Sequence, residues 1–456
     1  MSNRPIRNIK KKKEIKTQIN KKFLRLQGMK DIIFDEYKYW ELVTRKATKM
    51  ARAYGFHGIK TPTLERSVLY EHSSGKTSDI VSKEMYTFID KSGVKIALRP
   101  EATPSLVRAY IENSMINLPQ PVKMFWLSSV YRQDNLKVGV TREHSQFNLD
   151  IFGDDKPIAD FFLIFIAYNF FKELQIDIQI QINSIGCPEC RKEYIKKLIA
   201  FYKIRGKRAR LCNDCKKRLV KNPLRLLDCK KSTCQELRED IPNIADYLCD
   251  DCHNHFVAVL ECLDEVDVSY SFNPQLVRGL DYYNRTVFEI WPTDELEDGN
   301  QKNKEQNLSL GGGGRYDNLV KYMGGKETPA VGFGIGLERT ILKIKENDIP
   351  IKEDKNFLVF IAHLGDQARG KALLLFEEMR KTGFSVCQSF TSNSLKLQLE
   401  EASRLNARFS LILGQKEYAD KTILIRDMES GIQEIIDYKK IREEKEKRIK
   451  ISLAVK

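Results

Sequence analysis

Apolar residues recur at helical spacing through Ile32, Ile33, Tyr37, Trp40, Leu42 and Val43, which predicts an amphipathic helix from Phe23 to about Tyr54. Gly55 to Thr63 follows with turn residues and a short extended piece that reaches Pro62. Between Met85 and Leu98 two β-rich runs bracket Lys91-Ser92-Gly93, the pattern of a hairpin. A strand is expected to begin in the run Phe125–Asp134, with a return strand over Phe147–Gly153 and a charged loop between them. Ile158–Phe171 is the most apolar stretch, but Asp160 and Asn169 interrupt it and it is shorter than the roughly 20 residues a bilayer requires, so it reads as a buried helix. Leu276–Ile290 is strand-like. Leu310–Asp317 is too rich in glycine for an ordinary strand, and bare backbone there allows close approach to a substrate. Lys343 to Lys355 reads as a charged linker, after which strands and helices alternate from Phe357 to Asp437, with strands near Ser385–Val386 and Phe409–Leu413.

A chain of 456 residues can bury two or three cores. Its formal net charge of +15 favours a polyanionic partner, nucleic acid ahead of an anionic membrane surface. Residues 1–22 hold Arg4, Arg7 and Lys10 to Lys13 with no apolar core behind them, so they read as a flexible basic arm and not as a secretory signal or an anchor. Residues 438–456 form a charged tail. Ten cysteines without a secretion signal point to reduced thiols or metal ligands. Eight lie between Cys187 and Cys252. Cys187, Cys190, Cys212 and Cys215 form two Cys-x-x-Cys pairs, a pattern for a tetrahedral structural zinc site, with reduced and metal-free thiols as the alternative. Cys229, Cys234, Cys249 and Cys252 either complete a second site or interleave with the first, and spacing leaves the pairing open. Lys207, Arg208, Arg210, Lys216, Lys217 and Arg218 suit phosphate contacts, or a solvated helical face.

Candidate chemistry gathers in a few short runs. Leu276-Val277-Arg278-Gly279-Leu280-Asp281-Tyr282-Tyr283 brings charge and bare backbone together. Glu101 and Thr103 suit an ammonium group in need of acceptors, or alternatively a helix cap. Gln146 and Asp150 have the period-2 spacing that turns both to one face of a strand. The 276–283 run resembles a signature of histidyl-tRNA synthetases. Residues 23–63 resemble the dimer-forming motif of class II synthetases, Phe125–Gly153 their second motif and Pro329–Arg339 their third. The parts come in that family's order.

The resemblance implies an α+β fold: a class II antiparallel sheet flanked by helices (residues 23–345), a Cys-rich insertion (186–265) and an α/β anticodon-binding domain (355–437). It implies ATP-dependent formation of histidyl-adenylate and transfer to tRNA(His). Arg132, Arg278 and Arg339 would be catalytic, with Arg132 on the α-phosphate and Arg339 on the γ-phosphate. Glu101 and Thr103 would hold the α-amino group of L-histidine, Gln146 its carboxylate end and Asp150 its imidazole; Arg132, Arg278, Tyr282, Tyr283 and Tyr316 would complete that pocket. Asp134 and His144 would join Arg132 and Arg339 around ATP. Val140 stands where relatives carry an arginine. Magnesium with ATP, structural zinc, a homodimer, no membrane and a cytoplasmic location follow as expectations. The alternative is a non-catalytic paralogue that senses histidine or binds RNA as a regulatory subunit.

Overall fold

The computed structural model describes residues 23–440 apart from 76–77, 79, 135, 137–138, 205, 239–240, 294–308, 352–357, 382–383 and 390. The basic arm and all of the tail beyond residue 440 therefore lie outside the described residues. The chain divides near residue 351 into two compact units.

In the larger unit the strands are, in chain order, β1 (His57–Gly58), β2 (Leu64–Arg66), β3 (Thr87–Ile89), β4 (Lys95–Leu98), β5 (Val122–Tyr131), β6 (Glu143–Phe152), β7 (Ile178–Ser184), β8 (Tyr270–Phe272), β9 (Asn284–Pro292), β10 (Gly311–Arg315) and β11 (Ala330–Gly336). Eight of them form one sheet in the order β1-β5-β6-β11-β10-β9-β7-β8, while β2, β4 and β3 form a small antiparallel sheet. The six inner strands pair antiparallel, as expected. The edges differ: β1 runs parallel to β5 and β8 parallel to β7, so the sheet is mixed. Each edge strand is reached by a crossover and not by a hairpin, which permits the parallel sense.

Strand alternation separates two environments. Phe147, Leu149 and Ile151 of β6, Val331, Phe333 and Ile335 of β11, and Phe288 and Ile290 of β9 point into the main core. Helices Phe34–Ala53, Pro157–Glu173, Asp250–Glu265 and Leu337–Glu346 cover that face. Gln146, Asn148 and Asp150 necessarily point the other way, onto the polar face.

Two helix boundaries differ from expectation. The first helix begins at Phe34 and not at Phe23; Ile33 is extended ahead of it, and Asp35 and Glu36 occupy the first turn, where the helix dipole favours acids. Lys343 lies buried inside helix Leu337–Glu346, so the linker starts later than expected. The smaller unit contains β12 (Val359–His363), β13 (Val386–Gln388), β14 (Phe409–Leu413), β15 (Thr422–Asp427) and β16 (Gln433–Asp437), ordered β13-β12-β14-β15-β16. Its first three strands are parallel and its last two antiparallel to their neighbours. Helices Asp366–Lys381 and Leu395–Arg404 make the crossovers. Among the described residues no helix is long and apolar enough to cross a membrane.

One ion pair ties the central sheet to its helical layer. Arg315, at the end of β10, donates to Asp160 in the first turn of helix Pro157–Glu173 through Nε at 2.8 Å and Nη2 at 2.5 Å, and both side chains are fully buried. Arg315 also reaches Asp317 at 3.0 Å and the Asp154 and Lys156 carbonyls at 2.9 Å. Removing one partner of such a pair leaves the other charge buried. Asp160→Ala is expected to cost about 3 kcal/mol of stability, read as a lower denaturation midpoint; a midpoint within error of the parent's would mean that Asp317 and the two carbonyls satisfy Arg315 without Asp160.

Candidate active site

Residues far apart in sequence reach one cleft on the polar face. Arg132, Asp134, His144, Gln146, Arg278 and Arg339 line a space of about 170 Å³, together with Val140, Glu338 and the glycines 311, 312, 334 and 336. Arg132 follows β5, and its Nε donates to the Pro100 carbonyl at 2.8 Å. Arg339 lies in the first turn of the helix that β11 feeds and donates to the Ser309 carbonyl at 2.7 Å. Arg278 belongs to a stretch of turns before β9, not to a strand as its composition suggested, and its Nη1 donates to Glu289 of β9 at 2.5 Å. Burial alone would weaken the charge on Arg278; the Glu289 carboxylate holds its pKa above the ordinary value.

The crowded cations have a visible effect on His144. Burial, reinforced by Arg132 and Arg339, pushes its pKa down to about 3, so the ring is neutral at physiological pH. Glu338 shows the opposite effect of burial: its pKa rises to about 7 even though both oxygens accept from the Ser145 amide, at 2.8 and 3.0 Å.

Further along β6 the polar face becomes a pocket. Tyr316 donates from its hydroxyl to Asp150 Oδ1 at 2.5 Å, and Oδ2 of the same carboxylate is buried with no hydrogen-bond partner among the described residues. Burial pushes Asp150 up to about 7, with the Tyr316 hydrogen bond pulling the other way. Tyr282 donates to Glu101 Oε2 at 2.7 Å, and Ser74 donates to Oε1. Burial still raises Glu101 above the usual carboxylate range, despite those bonds and nearby Arg132. The Tyr282 ring lies 4.7 Å from Tyr283 and 5.9 Å from Tyr316, while the Arg278 guanidinium is 5.9 Å from the Tyr283 ring. Thr103 is buried beside them, but it opens helix Thr103–Glu112 and is not on an extended segment; no side-chain cap bond is made there.

Glycine keeps this floor low. A Cβ at Gly332 would collide with Asp150 Oδ1, one at Gly334 would come 2.8 Å from Asn148 Nδ2, and one at Gly312 would come 2.7 Å from Arg278 Nη1. Asn148 and Glu289 carry no distinctive motif of their own; the period-2 pattern that singles out Gln146 and Asp150 also contained Asn148.

The cysteines sort differently from the first set proposed. Cys187 and Cys190 join Cys249 and Cys252, and Cys212 and Cys215 join Cys229 and Cys234; within each quartet the sulfurs lie within 4.8 Å of one another. The two leading pairs cannot share a site because helix Pro188–Lys203 carries the chain away between them. Cys187, Cys212 and Cys249 each occupy the N-cap position of a helix. Burial opposes ionisation there, but hydrogen bonds from the neighbouring amides and thiols bring both Cys187 and Cys212 down to about 7. These are the residues that could hold a metal.

Comparison with known proteins adds to this geometry. Residues 28–340 match the profile of the histidyl-tRNA synthetase family. The chain belongs to that family. An anticodon-binding domain profile matches residues 358–448. A histidine-tRNA ligase of Thermosipho melanesiensis is 42% identical over 90% of this chain and 95% of its own length, and one of Clostridium novyi is 42% identical over 89% and 94%. The apo histidyl-tRNA synthetase of S. aureus superposes with a TM-score of 0.75 at 28% identity, covering 92% of this chain and 98% of that one. Within the synthetase family, then, the mixed sheet carries the cleft and the smaller unit matches the anticodon-binding part.

The raised Asp150 pKa has a testable cost. Below about pH 4 this carboxyl is neutral in folded and unfolded chains alike; as pH rises towards 7 the unfolded chain ionises first, and stability is lost. Asp150→Asn should therefore stabilise the ligand-free protein increasingly from pH 4 to 7 and level off above, by at most on the order of 4 kcal/mol. Denaturation midpoints measured across that range check it, and a gain independent of pH would contradict it.

Proposed function

We propose that this chain is a histidine-tRNA ligase that joins L-histidine to ATP as histidyl-adenylate and then charges tRNA(His). Three arginines from separate segments lining one cleft, next to a buried Asp150 with an oxygen unpartnered among the described residues, carry this reading. In the first step a histidine carboxylate oxygen bonds to the α-phosphorus, the bond to the bridging oxygen breaks, and pyrophosphate leaves with the electron pair. In the second a hydroxyl of the terminal tRNA ribose attacks the acyl carbon and AMP leaves. Neither step needs a protein nucleophile, so catalysis is alignment and placed charge.

Glu101, held by Tyr282 and Ser74, and Thr103 receive the α-ammonium group. Asp150 Oδ2 accepts an imidazole N–H, while Tyr316 fixes the other oxygen and Tyr283 closes the pocket. Gln146, nearer the cleft on the same strand face, addresses the carboxylate end. Arg132 and Arg278 flank the α-phosphate, Arg339 takes the γ-phosphate, and neutral His144 offers its ring to the adenine with Asp134 beside it. Asp134 and Glu338 are carboxylates lining the cleft, which fits a magnesium ion bound mainly by phosphates with one or two protein ligands. When bound, it would offset charge on the triphosphate.

The formal net charge of +15 suits tRNA. Leu64, Val68, Phe88 and Ile89 are exposed apolar residues of the small sheet and of helix Ser67–Ser73 between its strands, and a second copy of the chain is the cover we infer for them. Ten free thiols suit the reducing cytoplasm. A regulatory paralogue would have no need for the three arginines that line the cleft.

Histidine-dependent exchange of pyrophosphate into ATP tests the activity. Arg278→His should reduce it by two to three orders of magnitude, about 3–4 kcal/mol of lost charge stabilisation. Histidine and ATP affinities should change less than roughly tenfold, because the lost interaction belongs to the transition state. Supplied with preformed histidyl-adenylate, the variant should charge tRNA near the parent rate; a parallel collapse of transfer would mean that Arg278 merely holds the pocket together. Asp150→Asn and Tyr283→Phe should raise KM for histidine far more than KM for ATP, and equal rises would move the imidazole site elsewhere.

Zinc in both cysteine quartets is the metal we infer, as structural ligation by four thiolates. Reductively purified protein should contain two zinc ions per chain, and Cys187→Ser and Cys249→Ser should each remove the same one. Loss of a zinc shared between the Cys187 and Cys212 pairs would contradict this grouping.

A further inference from the structure

The stretch that carries Arg278 belongs to no strand or helix. Asn183 of β7 holds its start by donating to the Leu276 carbonyl at 2.9 Å, and three residues of the Cys-rich insertion hold it further along. Arg225, only 6% exposed, points Nη1 at the Arg278 carbonyl oxygen at 3.4 Å and pairs with Asp228 at 3.6 Å. Asn222 donates to Asp281 Oδ1 at 2.7 Å, and the Arg238 carbonyl accepts from Gln275 at 3.3 Å. A Cβ at Gly279 would come 3.1 Å from Arg225 Nη1, so a side chain there would press on that guanidinium.

We propose that Arg225 and Asn222 are positioning residues for Arg278 in adenylate formation. The proposal rests on the role given to Arg278 above. Glu289 fixes the guanidinium of Arg278 from one side, but a guanidinium at the end of a long side chain is only as well placed as its backbone. That backbone is anchored by residues 222–225. They occupy the span 216–228, which the quartet of Cys212, Cys215, Cys229 and Cys234 closes at both ends. Arg218 adds an internal tie by donating to the Arg225 carbonyl at 3.3 Å. The quartet thus closes the part of the insertion that touches the Arg278 stretch.

Misplacing a charge by about 1 Å can cost a hundredfold in rate. Arg225→Ala should lower the rate constant of histidine-dependent pyrophosphate exchange by about tenfold to a hundredfold, with KM for ATP and histidine nearly unchanged. Arg225→Lys, which keeps a cationic donor, should recover part of the loss. Asn222→Ala is the milder companion should Arg225→Ala fail to fold, and amides of residues 276–281 should exchange hydrogen faster in it than in the parent.

A double-mutant cycle decides whether the effect runs through Arg278. Introduced into Arg278→Ala, Arg225→Ala should cost less than about threefold further. Its full effect persisting there, or unchanged exchange at 276–281 in Asn222→Ala, would overturn the proposal. Parental activity in Arg225→Ala beside an inactive Arg278→Ala would overturn the proposal alone. An active Arg278→Ala would overturn the role assigned to Arg278 and the proposal with it.

Discussion

Backbone without side chains is the constraint on which the cleft depends. Gly312 on β10 and Gly332 and Gly334 on β11 leave room for Arg278, Asp150 and Asn148 to lie against the sheet. A Cβ at any of those positions would push against these polar groups, most severely at Gly332. The opposite face of the same strands is packed with Phe333, Ile335 and Val331, so the strand cannot shift to make room. The pocket is therefore set by what the sheet omits as much as by what it presents. The Arg315–Asp160 pair holds the end of the glycine strand to the helical layer beneath it.

Around that floor, charges are held in environments that they would not choose alone. Burial raises Asp150 to about 7 and Glu338 to about 7, and it lowers His144 to about 3. The proximity of Arg132 and Arg339 contributes to the last of these. Such groups make the empty site less stable than an apolar one of equal size, and they lower the reorganisation needed when a charged ligand arrives. Arg278 is a partial exception, because Glu289 already compensates it.

Much of the larger architecture was legible because it depends on local signals. The hairpin around Ser92-Gly93, the paired strands around residues 122–152 and the alternating strands and helices after residue 357 all follow from periodicity and turn residues. The family signatures led to the residues that the structure brings together in the cleft. What was not legible depends on distance through space. Identical Cys-x-x-Cys spacings cannot state which pairs meet; helix Pro188–Lys203 settles that by separating Cys190 from Cys212. Arg225 carries no motif of its own, and only burial against the Arg278 carbonyl distinguishes it. The parallel edge strands were hidden because β1 and β8 are too short to carry a pattern.

The cysteine quartets are nested, with the pair at 212–215 and 229–234 lying wholly between the pair at 187–190 and the pair at 249–252. Nesting sets an order on a chain made from its N-terminus. The inner four thiols have all been made once residue 234 has been added, and closing their shorter loop costs less chain entropy than closing the outer one. The outer four must wait for Cys252, at the start of helix Asp250–Glu265. By then the inner segment can already be compact, which shortens the effective span that the outer ligands must bridge. Vectorial synthesis would thus assemble the insertion from the inside out, before β9, β10 and β11 arrive to complete the sheet around it.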